Sequence, residues 1–297
     1  VAILRPIAVT LGDPAGIGPE VIEAALHAST LNKSVPFEII GKPSGQPGNP
    51  SDAGARHAFE AMTAAAEGLK SGIYSAVVTG PIHKARMRAI GFHHPGQTEF
   101  FADSLGVTNY AMCLTGGKLT VALVTVHEPL SRVSSLLRSS EIIRIAELLE
   151  QFLRLRIGRT PRIAVAGLNP HAGESGLMGN EETDIIAPAI ERLAVKSEMN
   201  GSANIYSGPW SPDTVFHRAL SGDFDGVLCM YHDQGLIPLK LHAFDSGVNV
   251  TLGLPFPRTS PDHGTAFEIA GRGVASPNSM IAAMNLASDL ARSGASQ

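Results

Sequence analysis

Short apolar runs alternate with longer amphipathic stretches from one end of the chain to the other. Ile7–Leu11, Phe37–Ile40, Ala76–Thr79, Ile163–Gly167, Val227–Tyr231 and Val248–Leu252 have the length and β-branched content of strands. Within Ile163-Ala-Val-Ala the apolar character is continuous, which predicts a sheet covered on both faces. Ile142, Ile145, Leu149 and Phe152 share one helical face, with Ser140 as a candidate cap and Gly158 and Pro161 as the stop. Ser276-Pro277 starts another helix, whose inner side carries Met280, Met284, Ala287 and Leu290 or Ala291. Strands alternating with helices predict an α/β architecture. One region breaks the rhythm. Tyr110–Leu114 and Leu119–Val126, joined by Thr-Gly-Gly-Lys, read as a β-hairpin and suggest a mixed sheet with a second domain starting near residue 100. Gly41–Gly54 is a flexible loop by composition.

Composition narrows the functional classes. With 297 residues, 44% of them hydrophobic, the chain can bury the core of one large or two medium domains. The net charge is −4 and no run of basic residues offsets it, which excludes a nucleic-acid footprint. Cys113 and Cys229 lie inside apolar runs and read as buried thiols of a reducing compartment. No stretch reaches the roughly 18 apolar residues of a membrane span. The first residues, Val-Ala-Ile-Leu-Arg-Pro, lack the marks of a signal peptide, so a cytoplasmic protein is expected.

Chemistry gathers where strands end. His127, His171 and His232 each lie just past the carboxyl end of a predicted strand, the edge at which open α/β sheets bind ligands. Three neutral imidazoles from separate loops suit a catalytic divalent metal; the alternative is three unrelated histidines, since their spacing matches no short metal motif. Gly12-Asp-Pro-Ala-Gly-Ile-Gly-Pro-Glu20 is spaced neither as a Rossmann turn nor as a Walker loop. It can present Asp13 or backbone N–H groups to a ligand, or serve as a tight turn. Likewise His83 and Lys84, after Thr79-Gly-Pro-Ile, either reach an anionic substrate or lie on a solvated helix start. From His232 to Arg272 the chain is dense in polar groups, and Lys240 with Arg258 suits a phosphate or carboxylate clamp, a solvated face being the other reading. The small residues after His263 let a backbone approach a ligand closely, or let a helix approach the sheet.

Taken in order, these segments resemble the 4-hydroxythreonine-4-phosphate dehydrogenase family of pyridoxine and pyridoxal phosphate biosynthesis. They are Gly12–Glu20, Thr79–Lys84, Thr98-Glu-Phe-Phe101, Gly167-Leu-Asn-Pro-His-Ala-Gly-Glu174, Tyr231-His-Asp-Gln-Gly-Leu236, Gly247–Pro255 and Asp262–Gly273. The last also resembles the cofactor loop of isopropylmalate and isocitrate dehydrogenases. The resemblance implies two α/β/α domains of the isocitrate/isopropylmalate dehydrogenase kind with a cleft between them: residues 1–98 with 265–297, and residues 99–264 bearing the hairpin and dimer contacts. It implies a homodimer with the active site at the subunit interface, no nucleic-acid or membrane partner, and a phosphorylated hydroxy-acid substrate. By resemblance, His127, His171 and His232 hold one divalent metal (Zn, Mg or Co), and Gln97, Thr98, Lys240, Asn249 and Arg258 bind substrate. Asp262, His263, Gly264, Thr265 and Glu268 bind NAD or NADP, and Lys240 and Asp233 are the catalytic candidates. The implied reaction is oxidation of 4-phosphooxy-L-threonine with decarboxylation to 3-amino-2-oxopropyl phosphate. Two features depart from the family: Gln97 stands where it usually has His, and the 41–54 region is short. A related phosphorylated four-carbon sugar acid is therefore an alternative substrate. A metal-dependent hydrolase or acyl-phosphate transferase, and a non-catalytic metabolite-binding protein, are the rival readings.

Overall fold

A computed structural model describes residues 5–202 and 205–295. Along the chain come β1 (Ile7–Thr10), α1 (Gly18–His27), β2 (Phe37–Ile40), α2 (Asp52–Lys70), β3 (Ala76–Thr79), α3 (Lys84–Ala89) and α4 (Gln97–Ser104). The hairpin β4 (Ala111–Gly116) and β5 (Leu119–Leu123) follows, then α5 (Leu130–Leu136), α6 (Ser139–Ile157), β6 (Ile163–Ala166) and α7 (Ala187–Met199). The last third holds β7 (Tyr206–Trp210), α8 (Val215–Leu220), β8 (Gly226–Cys229), α9 (His232–Ala243), β9 (Val248–Leu252), β10 (Arg258–Pro261) and α10 (Asn278–Ala295). The chain folds into two compact units, Val1–Asn109 with Asp245–Gln297, and Tyr110–Phe244.

In the first unit the strand order is β2-β1-β3-β10-β9, parallel except where β9 runs against β10. Ala8 and Val77 join the α2 residues Ala55, Ala58, Met62 and Leu69 in one core cluster. Strand side chains alternate between faces, so Ile7, Val9 and Val78 point the other way, toward the side covered by α1 and α10. Met280, Met284, Ala287 and Leu290 of α10 are all buried. Every residue of β1, β3 and β10 is buried, as a sheet covered on both faces requires.

The second unit repeats this plan with the order β4-β5-β8-β6-β7, in which only the β4–β5 pair is antiparallel. Leu119, Val121 and Leu123 pack with Val215 of α8 and Leu236 and Leu239 of α9. Ile142, Ile145, Leu149 and Phe152 of α6 are buried as their spacing predicts. Ser140 does not cap that helix. Its N-cap is Arg138, and Ser139 instead donates its hydroxyl to the Ile185 carbonyl. Within 41–54 the helix α2 already begins at Asp52, capped by Ser51 Oγ accepting from the Gly54 N–H, and Gly48 N–H is tied to the Ala15 carbonyl. Both cysteines are buried and unpaired with each other; burial pushes the Cys113 thiol up to about 12 and raises that of Cys229 as well. Among the described residues, no helix is long and apolar enough to cross a membrane.

Candidate functional site

β1 and β3 end side by side, with Thr10 and Thr79 as register partners. The loops beyond them touch. A methyl group on Gly12 would stand 2.3 Å from the Pro81 carbonyl oxygen, and one on Gly80 2.5 Å from that of Leu11, so the approach requires glycine. This brings Asp13 from one loop near the charges of His83 and Arg86 from the other. Asp13 is buried; its Oδ1 accepts from the Ala15 N–H at 3.0 Å while Oδ2 has no partner. Burial raises its carboxyl pKa, opposed by the Ala15 N–H, His83 and Arg86. His83 Nδ1 and Arg86 Nε are also buried without partners. Polar atoms taken from water and left unpaired are costly, and in a folded enzyme they mark places where a ligand completes the bonding.

Arg258 is the strongest such case. Only 3% exposed on β10, its Nη1 donates to Thr98 Oγ1 and Thr251 Oγ1 at 3.2 Å each, and Nη2 donates to Thr79 Oγ1 at 2.7 Å. Its Nε is unpaired, and burial lowers its pKa to about 10, with Glu99 acting the other way. Among the described residues no carboxylate forms an ion pair with it. A buried guanidinium held by three neutral hydroxyls is short of a counter-charge, and an anionic ligand supplies one. Gln97 donates Nε2 to the Gly80 carbonyl at 3.0 Å and keeps a buried, unpaired Oε1. Asn249 lies two residues before Thr251 on β9, hence on the same face, and its Oδ1 is unpaired. Gln97, Thr98, Asn249 and Arg258 thus gather within the first unit.

The segment expected to hold the cofactor packs on the same loops. Ile17 N–H donates to the Thr265 carbonyl at 2.9 Å, Gly271 N–H donates to Glu20 Oε2 at 2.9 Å, and the Phe267 ring meets His83 edge-on at 5.2 Å. Asp262 N–H donates to Ser279 Oγ, and His263 pairs Nδ1 with the Gly264 carbonyl while its Nε2 is buried and unpaired. Glu268 is exposed.

The second unit holds the histidines. His232 opens α9 and His127 follows β5, with ring centroids 5.6 Å apart and planes inclined by 42°. His232 Nδ1 pairs with Asp233 Oδ1 at 2.7 Å, which leaves Nε2 as its ligating nitrogen. Two imidazoles bound to one cation through nitrogen at about 2 Å have ring centres roughly 5 Å apart, so this pair fits a shared ion. His171 begins a run of five residues in left-handed conformation and lies where its charge acts on Asp213, whose carboxyl is held low chiefly by the Ser211 hydroxyl. Among the described residues, no group of three or more His, Cys, Asp or Glu side chains stands close enough to hold an ion. The structure therefore joins His127 with His232 but not both with His171. Lys240, half-buried, lies eight residues after His232 on α9, roughly 12 Å along the axis.

Sequence reasoning passed over Arg86, Thr79 and Thr251, because a threonine on an apolar strand carries no sign of what it faces. Comparison with known proteins decides the family. Residues 17–287 match the family described as pyridoxal phosphate biosynthetic protein PdxA. The chain belongs to the PdxA family. The 4-hydroxythreonine-4-phosphate dehydrogenase of Methylorubrum populi is 42% identical over 337 aligned residues, covering 97% of this chain and 95% of its own. A crystal structure of 4-hydroxythreonine-4-phosphate dehydrogenase from Klebsiella pneumoniae is 36% identical, with a TM-score of 0.82 over 97% of this chain and 99% of that one. The PdxA fold extends further: a β-decarboxylating dehydrogenase from Thermococcus kodakarensis, 17% identical, superposes with a TM-score of 0.55 over 96% of this chain and 81% of its own. The mixed α/β class expected from the resemblance is thus the class observed.

Proposed function

We propose that this PdxA-family chain is an NAD- or NADP-dependent dehydrogenase that oxidises 4-phosphooxy-L-threonine and releases carbon dioxide, giving 3-amino-2-oxopropyl phosphate for pyridoxine and pyridoxal phosphate synthesis. The observation that carries the reading is Arg258, a buried cation with no carboxylate among the described residues in direct ion pair, beside the hydroxyl of Thr98 and the unpaired amide oxygens of Gln97 and Asn249. These groups hold the phosphate end, fixing the reacting carbon by binding energy spent far from it. NAD or NADP, when bound, would accept the hydride from the carbon bearing the secondary hydroxyl; the hydroxyl proton would pass to the enzyme, and the resulting ketone, β to the carboxylate, would allow loss of carbon dioxide. Lys240 is the group that moves these protons, at the substrate hydroxyl and then at the carbon left by decarboxylation. A divalent ion (Zn, Mg or Co) supplies Lewis acidity at the hydroxyl oxygen when bound. His127 and His232 would be two of its holders, with Asp233 orienting the His232 ring, and His171, which stands apart from them within one chain, would be the third. Asp262, His263, Gly264, Thr265 and Glu268 would hold the cofactor, with the Asp13 loop and His83 packed against this segment.

The active enzyme is a cytoplasmic homodimer whose active site forms where the copies meet. Ile237 and Leu241 on one side of α9, with Phe244 just past its end, are 66%, 89% and 76% exposed, an apolar patch that water disfavours and a second copy would cover. Two buried, unpaired cysteines suit a reducing compartment. The Gln97 amide, uncharged where the family usually has imidazole, favours a second reading in which the substrate is a related phosphorylated four-carbon sugar acid. Reduced-nicotinamide absorbance should appear with 4-phosphooxy-L-threonine, vanish with chelator and return with a divalent ion. No absorbance with that compound, but turnover of a phosphorylated sugar acid, would select the second reading.

A further inference from the structure

Buried hydrogen bonds in the second unit run from one histidine-bearing strand end to the next. Thr125, two residues before His127, donates Oγ1 to the Met230 carbonyl at 2.8 Å, and its N–H reaches the same oxygen at 3.1 Å. Met230, two residues before His232, donates its N–H to Gln234 Oε1 at 2.6 Å. Gln234 Nε2 then donates to the Gly167 carbonyl at 2.7 Å, at the root of the segment carrying His171. Beyond it, the N–H groups of Leu168 and Asn169 each donate to Glu182 Oε1 at 2.7 Å, and Asn169 Nδ2 donates to Oε2 at 2.9 Å. Gln234 and Glu182 are 6% and 3% exposed.

What they hold is a strained piece of backbone. His171, Ala172, Gly173, Glu174 and Ser175 have φ of 53, 53, 80, 45 and 57° in succession. Left-handed backbone is unfavourable for residues bearing a Cβ, so the segment persists only where its surroundings over-determine it. Glu182 itself opens a single π-turn, Glu182–Ile186, a distortion that recurs at functional sites. One planar amide bridges an N–H and a C=O; an ionised carboxylate has no donor for the second, and a thioether offers only a weak acceptor for the first.

We propose that Gln234 is a positioning residue: its amide fixes the His171 segment against the strand end that launches His232, with Glu182 gripping the same segment from its other side. The consequence for metal binding rests on the reading that His127, His171 and His232 serve one divalent ion.

The test compares the full-length protein with Gln234→Met and Gln234→Glu, using hydrogen–deuterium exchange without metal and titration with cobalt(II) alone. Both variants should exchange about tenfold or more faster across 168–178 while β5 and β8 stay protected. Both should bind cobalt(II) about tenfold or more weakly, with an altered visible band. Gln234→Glu keeps the acceptor for Met230 and, when ionised, loses only the donor to Gly167, so its loosening at 168–178 isolates the bond proposed to matter, while Gln234→Met removes both amide bonds. Unchanged exchange at 168–178 in both variants overturns the proposal, whatever cobalt does. Loss of protection throughout the second unit also overturns it, because it would make the amide a general structural support. If either variant fails to fold, the other decides the bond to Gly167, and Glu182→Gln tests the separate grip on Leu168 and Asn169. The metal reading fails separately, if the unaltered protein takes up no cobalt(II) or if His127→Asn and His232→Asn bind it equally well.

Discussion

Arg258 concentrates the physical argument at the scale of one residue. A guanidinium deprived of water and met by Thr79, Thr98 and Thr251 has good hydrogen-bond geometry but, among the described residues, no carboxylate within ion-pair distance, and burial lowers its pKa despite the opposing charge of Glu99. Lysine keeps the charge and loses the fork that reaches three hydroxyls at once. Arg258→Lys should therefore lower kcat/KM for the phosphorylated substrate by roughly ten- to a hundredfold, the loss of about 1–3 kcal/mol of charge-assisted bonding. The change should lie mainly in KM; steady-state kinetics with unchanged KM would separate Arg258 from substrate binding. Arg258 was legible as a clamp candidate from its type and company, and Thr98 from the resemblance, but its partners Thr79 and Thr251 were not, since they sit on the apolar strands β3 and β9.

At the scale of elements, helix stops and strand runs were readable because they depend on neighbours in sequence. Gly158 ends α6 with φ of 69°, a conformation glycine adopts freely and alanine does not. Gly158→Ala should cost about 1 kcal/mol of unfolding free energy, seen as a lower urea midpoint at unchanged slope, with the catalytic constants intact. The start of α6 was not readable in the same way. Ser140 has the right chemistry for a cap, yet the chain enters the helix one residue before Ser139, whose hydroxyl is drawn away by the Ile185 carbonyl. β7 and β10 escaped for a related reason. Ser207, Gly208 and Pro209 interrupt the first, and Arg258 and Pro261 bound the second, so neither displays an apolar run. Pairing with β6 in one case, and with β3 and β9 in the other, makes them strands.

For the whole molecule, Ile237 and Leu241 on α9 and Phe244 just after it form an apolar patch that a single chain leaves exposed. Leu241→Glu would put a charge where a second copy is proposed to pack, and sedimentation should find a monomer with greatly reduced turnover. A dimer of full activity would move the interface elsewhere. Alternation of apolar strands with amphipathic helices determined the α/β class by itself, because burial on two faces of a sheet or one face of a helix imprints a period on the sequence. The order of its motifs likewise carried the family. Which polar groups stand together was decided only by tertiary structure. Asp13 meets His83 and Arg86 through glycine-lined contact of two loops, and Gln234 meets Gly167 across 67 residues of chain. Such meetings depend on strand order and on bonds between distant segments, which leave no periodic trace along the chain.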